Sequence, residues 1–131
     1  MNSEFEWRLA RLWYGCGIAL LFIVAVISLV PISVSVESGG DKLAHVLIYL
    51  VLSGWFSLIV ARPGLLWRVF MGLIVYGFLM ELLQGQTDYR SYEVADAVAN
   101  SVGVALGLLA RFTPLRRLLI TIDSRLAGLS D

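Results

Sequence analysis

The sequence predicts an all-α membrane protein: a four-transmembrane-helix antiparallel bundle with a C-terminal amphipathic interfacial helix. Three observations carry this. The chain has 131 residues of which 59% are hydrophobic, with a mean hydropathy of +0.83. Soluble domains average roughly 45–50% apolar, and so short a chain cannot hide this surplus in one globule. Four apolar runs approach the roughly 20 residues that cross a bilayer. Finally, the basic residues fall overwhelmingly on one side once four spans are drawn.

The first run, residues 12–30, follows Arg8 and Arg11 and stops before Pro31. It is longer than the roughly 7–15-residue apolar core of a signal peptide, which predicts a retained anchor. Its cysteine, Cys16, is the only one in the chain, so no internal disulfide can form. The second run, residues 43–61, stops before Arg62-Pro63-Gly64. The third covers residues 65–84 and the fourth residues 94–110. Short connections predict that successive helices pack antiparallel. Arg8, Arg11, Arg62, Arg68, Arg111, Arg116, Arg117 and Arg125 share one side, leaving Lys42 and Arg90 on the other. The positive-inside bias then places both termini in the cytoplasm and connections 31–42 and 85–93 outside.

Residues 1–112 thus form the transmembrane domain and residues 113–131 a cytoplasmic amphipathic tail. In the tail Leu115, Leu118, Leu119, Ile122, Leu126 and Leu129 recur at helical spacing, while Arg116, Arg117, Asp123 and Ser124 occupy other faces. This predicts a helix over residues 115–129 lying on the inner leaflet, with Arg116 and Arg117 toward water or lipid phosphate. A partly disordered tail is the alternative. The net charge of zero gives no bulk electrostatic case for nucleic acid.

The polar residues of the spans gather at one level. Asp41, Lys42 and His45, the only histidine, open the second span, with Tyr49 one turn deeper. Positions 42, 45 and 49 share a face. Glu81 and Gln84 lie near the end of the third span, and Asp96 and Asn100 begin the fourth, just after Arg90 and Ser91. Ionisable groups in a span are costly and face a partner or a wet cavity. They are therefore expected to converge on an outward-opening pocket: His45 with Glu81, Asp96 and Asn100, Glu81 as the preferred partner, and Lys42 or Arg90 at the rim. Gly103 and Gly107 form a small-xxx-small pair that allows close helix approach. Taken singly, each polar residue is equally well explained as a register-setting contact, worth about 0.6 kcal/mol on average. Convergence from three spans favours a site. Trp7, Trp13, Trp55 and Trp67 read as packing or interfacial residues, and Tyr89 and Tyr92 as an outer aromatic belt.

Taken in order, Asp41-Lys42-x-x-His45 with Tyr49, then Glu81-x-x-Gln84, then Arg90, Asp96, Asn100 and Gly103 resemble the VanZ-like family of small bacterial membrane proteins. The resemblance spans residues 40–109. The stretch "GQTDYR" departs from the family pattern, lacking its aromatic residue soon after the glutamine and its proline before the arginine. The founding member of the family is associated with resistance to the lipoglycopeptide teicoplanin. The resemblance therefore implies a cell-envelope role in the bacterial cytoplasmic (inner) membrane rather than a particular reaction.

Two classes of function fit these residues. The first is binding of a lipid headgroup or a lipid-linked, amphiphilic envelope ligand, with Asp41, Lys42, Tyr49, Gln84, Arg90 and Asn100 as contacts. The second is an intramembrane hydrolase or group transferase acting on an outer-leaflet lipid or lipid-linked precursor. There His45 would be the general base or acid, Glu81 or Asp96 its partner, and Lys42 and Arg90 the anchors of an anionic headgroup. No nucleophile motif accompanies them, and no cofactor is implied. Asp41, His45, Glu81 and Asp96 also offer oxygen and nitrogen metal ligands, but with one histidine and two adjacent basic residues no metal is assigned. Ion-coupled transport ranks last, because the deeper halves of the spans offer no polar path. The expected partner is a membrane lipid or lipid-linked envelope molecule; an envelope protein or a homo-oligomer is also compatible.

Overall fold

The computed structural model describes residues 6–30, 40–89 and 91–128, so Arg90 and Leu129 lie outside the described residues. The elements are α1 (Ala10–Leu29), α2 (Gly40–Ile59), α3 (Leu66–Gln84), α4 (Val94–Gly107) and α5 (Pro114–Gly128). A 3-10 turn, Pro63–Leu65, leads into α3, and another, Leu108–Phe112, continues α4. Pro63 and Pro114 each open an element, where a missing N–H leaves no helix bond unmade. Among the described residues there is no strand.

Four segments are long and apolar enough to cross a membrane: Ala10–Leu29, Gly40–Ile59, Pro63–Gln84 and Val94–Phe112. Ile18, Phe22, Val51, Val75 and Val98 face outward and are exposed. Helices satisfy their own backbone polar groups and therefore tolerate a hydrocarbon surround. The chain is a membrane protein on this ground.

Helix α2 is central. It packs most extensively against α4 and also touches α1, α3 and α5. Glycines make the α2–α4 contact possible. A Cβ on Gly103 would collide with the Val46 carbonyl, and one on Gly107 would lie 2.5 Å from the Leu50 carbonyl oxygen and 2.7 Å from the Ser53 Cβ. The seam is then tied by hydroxyls. Ser53 donates to the Val104 carbonyl at 2.8 Å, and Ser57 to the Gly107 carbonyl at 3.2 Å. Tyr49, Leu52, Leu73 and Val104 form the main buried cluster, and Trp13, Ile59 and Leu119 a second one near the other end of α2. Helix α1 is joined to α3 by side chains reaching its carbonyls: Tyr76 to Leu21 at 2.6 Å and Gln84 to Ser28 at 2.9 Å.

Two of the basic residues read from the sequence as topology markers are built into the structure. Arg111 is 7% exposed. It donates to the carbonyls of Ser57, Val60 and Ala61, acceptors that the end of a helix leaves without intrahelical partners. Arg116 was expected to face water or lipid phosphate. Instead it donates to the Leu58 and Val60 carbonyls and stacks over Trp7 at 5.7 Å; Arg117 is exposed. Replacing Arg111 with leucine should therefore lower unfolding stability by about 1.5–3 kcal/mol, the range for a hydrogen bond to a charged group. Denaturant titration of the detergent-solubilised protein measures this.

Helix α5 buries Leu119, Asp123 and Ala127, one residue per turn, and leaves Leu115, Leu118, Ile122 and Leu126 exposed. The sequence pattern had put Asp123 on a polar outer face. The structure turns it inward, where it is fully buried. Its Oδ2 accepts from the Arg8 amide at 3.0 Å, and its Oδ1 from the Leu9 amide at 3.0 Å and the Trp13 indole at 2.7 Å. Leu9 is the N-cap residue of α1, and its own side chain caps nothing. Asp123 supplies both the acceptor and the negative charge that a helix N-terminus favours.

Candidate functional site

At the Gly40 end of α2, four buried polar residues from three helices meet. His45, Glu81, Asp96 and Asn100 are each between 1% and 9% exposed. Close approach of α2 and α4 through Gly103 sets Asn100 against His45, and Gly77 of α3 lets the Tyr49 ring and Asn100 pack over it. His45 Nδ1 lies 2.9 Å from Asn100 Oδ1 and 3.4 Å from Glu81 Oε1. The Asn100 amide nitrogen donates to Glu81 Oε1 at 3.1 Å. With that nitrogen committed, the Asn100 oxygen faces the imidazole, and Nδ1 carries the hydrogen between them. Asn100 thus lies nearer to His45 than does Glu81, the partner preferred from sequence. Nε2 faces the opposite way, 3.8 Å from Asp41 Oδ1 and 3.9 Å from Asp96 Oδ2.

Lys42 marks the rim. Its ammonium is 3.1 Å from Glu93 Oε2 and 3.6 Å from Asp96 Oδ1. Two carboxylates therefore already engage the ammonium expected to hold an anionic headgroup. The Lys42 and Glu93 side chains are 46% and 51% exposed, and solvent screens such a pair, so a ligand can compete for the ammonium. Glu93 was not singled out from sequence. The available signal was an acid at the start of the fourth span, level with Lys42. Among the described residues the site holds the carboxylates of Asp41, Glu81, Glu93 and Asp96 against one ammonium.

Two further expected contacts are placed differently. Gln84 is buried, but its amide reaches the Ser28 carbonyl and joins α3 to α1 instead of the cluster. Tyr49 lies on the floor, 3% exposed, its ring 6.3 Å from that of Tyr76. The Tyr49 hydroxyl and Asp96 Oδ1 are buried without a hydrogen-bond partner among the described residues. Arg90, the other expected rim residue, lies outside the described residues.

Chemically, the arrangement can do two things. Among the described residues it can surround a polar headgroup with acceptors and one displaceable cation, Lys42. It can also hold an imidazole at one nitrogen and expose the other to carboxylates, as proton transfer requires. Asp41, His45 and Asp96 also present ligand atoms within 4.8 Å of one another, a spacing a cation can bridge; Glu81 is not part of that triad. The Lys42 ammonium beside Asp96 supplies positive charge to the same place.

In comparisons with known proteins, no family model, curated protein or solved structure matches the chain.

Proposed function

We propose that this is a VanZ-like protein of the bacterial cell envelope whose His45 site binds the headgroup of a membrane lipid or a lipid-linked amphiphile at the outer face of the cytoplasmic membrane. On this reading the four spans form an antiparallel bundle with both termini cytoplasmic, as the placement of the arginines supports. The exposed leucines of α5 then lie in the inner interface.

The observation that carries the proposal is the buried convergence of His45, Glu81, Asp96 and Asn100 in predominantly apolar spans. Helix packing alone does not require it, and each such group costs free energy in hydrocarbon. The Tyr49 hydroxyl, a buried polar atom with no hydrogen-bond partner among the described residues, is of the kind a ligand satisfies. The exposed Lys42 ammonium is the group among the described residues that would take the anionic part of the headgroup, after Glu93 is displaced.

The test is mass spectrometry of amphiphiles that copurify with the protein. The wild type should carry a discrete polar lipid or lipid-linked species, which Asp96→Asn and His45→Ala lose at unchanged helicity. An identical lipid profile in all three proteins rejects the binding site. A second reading, an intramembrane hydrolase or group transferase, is favoured by one feature: an imidazole oriented at Nδ1 by Asn100 and Glu81 with Nε2 toward Asp96. It requires that the bound species change mass on incubation with the wild type and remain intact with His45→Ala.

A further inference from the structure

A groove of about 320 Å³ opens between α1 and α3 in the half of the spans away from His45. Its walls include Leu21 of α1, Phe56 of α2, and Val69, Gly72 and Tyr76 of α3, with Arg68 at its end. The Tyr76 hydroxyl is committed to the Leu21 carbonyl at 2.6 Å, so the lining is hydrocarbon and aromatic apart from Arg68.

Gly72 makes this groove. A Cβ on Gly103, Gly107 or Gly77 would press on a neighbouring helix, whereas one on Gly72 would meet nothing within 4 Å. Close packing within this chain therefore does not require Gly72, although glycine is among the least favourable residues in a helix interior. Arg68 sits one turn before it on the same face. Its guanidinium stacks on Trp67 at 5.6 Å and makes no ion pair with a carboxylate among the described residues.

We propose that this groove is a second lipid site, holding one acyl chain of an anionic phospholipid whose phosphate rests on Arg68, in the leaflet opposite the His45 cluster. From Arg68 to Tyr76, α3 rises about 12 Å, most of one leaflet's share of a hydrocarbon core roughly 30 Å thick. A bilayer fills an apolar cleft with its own chains, because a void forfeits dispersion contacts on every wall. The unneutralised arginine at the end selects an anionic headgroup. The inference is independent of the His45 site, since the groove and that cluster share no residue.

Native mass spectrometry of the full chain in detergent, titrated separately with phosphatidylglycerol and phosphatidylcholine, tests it. The wild type should retain one phosphatidylglycerol per chain with about a fivefold preference over phosphatidylcholine, the effect of one basic residue at the interface. Gly72→Leu fills the groove and should remove this adduct at unchanged helicity. Leu21→Trp fills it from α1 and should do the same. Arg68→Gln should keep an adduct but equalise the two lipids, and Asp96→Asn should leave it unchanged. Wild-type retention in both groove-filling variants overturns the proposal, as does equal retention of the two lipids by the wild type. A dimer that Gly72→Leu abolishes would overturn it in favour of a second copy of the chain.

Discussion

Asp123→Ala should destabilise the protein by at least about 3 kcal/mol, because it removes three hydrogen bonds to a charged acceptor, each worth about 1.5–3 kcal/mol, that do not add fully. The variant leaves the Arg8 and Leu9 amides and the Trp13 indole without their acceptor. Helix α1 loses its cap, and α5 loses its polar link to the N-terminal segment. Asp123→Asn keeps acceptor oxygen but not the charge and should recover part of the loss. The two variants also differ with pH. Burial by itself would raise the Asp123 carboxyl, but the Trp13 indole, the Leu9 and Arg8 amides and the Arg8 charge outweigh it and hold the group below its ordinary 3.8. A carboxyl whose folded value is the lower one stabilises fully above its unfolded value and loses that contribution as pH falls through the folded value. Acid titration of thermal stability in detergent should therefore show a wild-type decline below about pH 4 that is smaller in Asp123→Asn. Equal acid limbs would assign the acid sensitivity to other groups.

Gly103→Ala should be nearly as damaging, and it should also disrupt the candidate site. The added methyl meets the Val46 carbonyl and lies 3.0 Å from the Tyr49 Cβ. A carbonyl on a packed helix cannot rotate aside, so α2 and α4 must separate. Overpacking costs about 1–3 kcal/mol, and more where backbone must move; the gain in helix propensity returns only about 1 kcal/mol. A net loss of about 2 kcal/mol or more is the expected result, measured by denaturant titration. Because His45 adjoins Val46 in the chain and Asn100 lies one turn before Gly103, the same separation lengthens the 2.9 Å contact between imidazole and amide. Amphiphile retention should fall with stability. Gly15→Ala is the control: nothing lies within 4 Å of its added carbon, so it should be neutral or slightly stabilising. Equal behaviour of the two variants would remove the close-packed seam from the account.

The four long apolar helices were legible before any coordinates, because apolar runs and their breakers are local properties of the chain. Residues 94–110 were expected as one helix, but α4 ends at Gly107 and the segment tightens into a 3-10 turn over Leu108–Phe112. The level of the polar residues was also legible. Helical rise fixes how deep His45, Glu81, Asp96 and Asn100 sit once the ends of the runs are known.

Their partners were not. Gln84 lies one turn from Glu81, yet it serves Ser28 while Glu81 receives Asn100. Glu93 takes Lys42. Arg111 and Arg116 look like ordinary charges flanking a span, and Asp123 like a solvated acid on an amphipathic helix; all three bind backbone groups of other elements. Gly72 reads like Gly77 in the sequence, and only the surroundings of each show that one opens a groove while the other accepts Tyr49. The division has one physical cause. Hydropathy and charge act on each residue through the solvent at its own depth, so one dimension suffices to read them. Hydrogen bonds and van der Waals contacts act over a few ångströms between residues far apart in the chain, so they are fixed only by the rotation and separation of the helices.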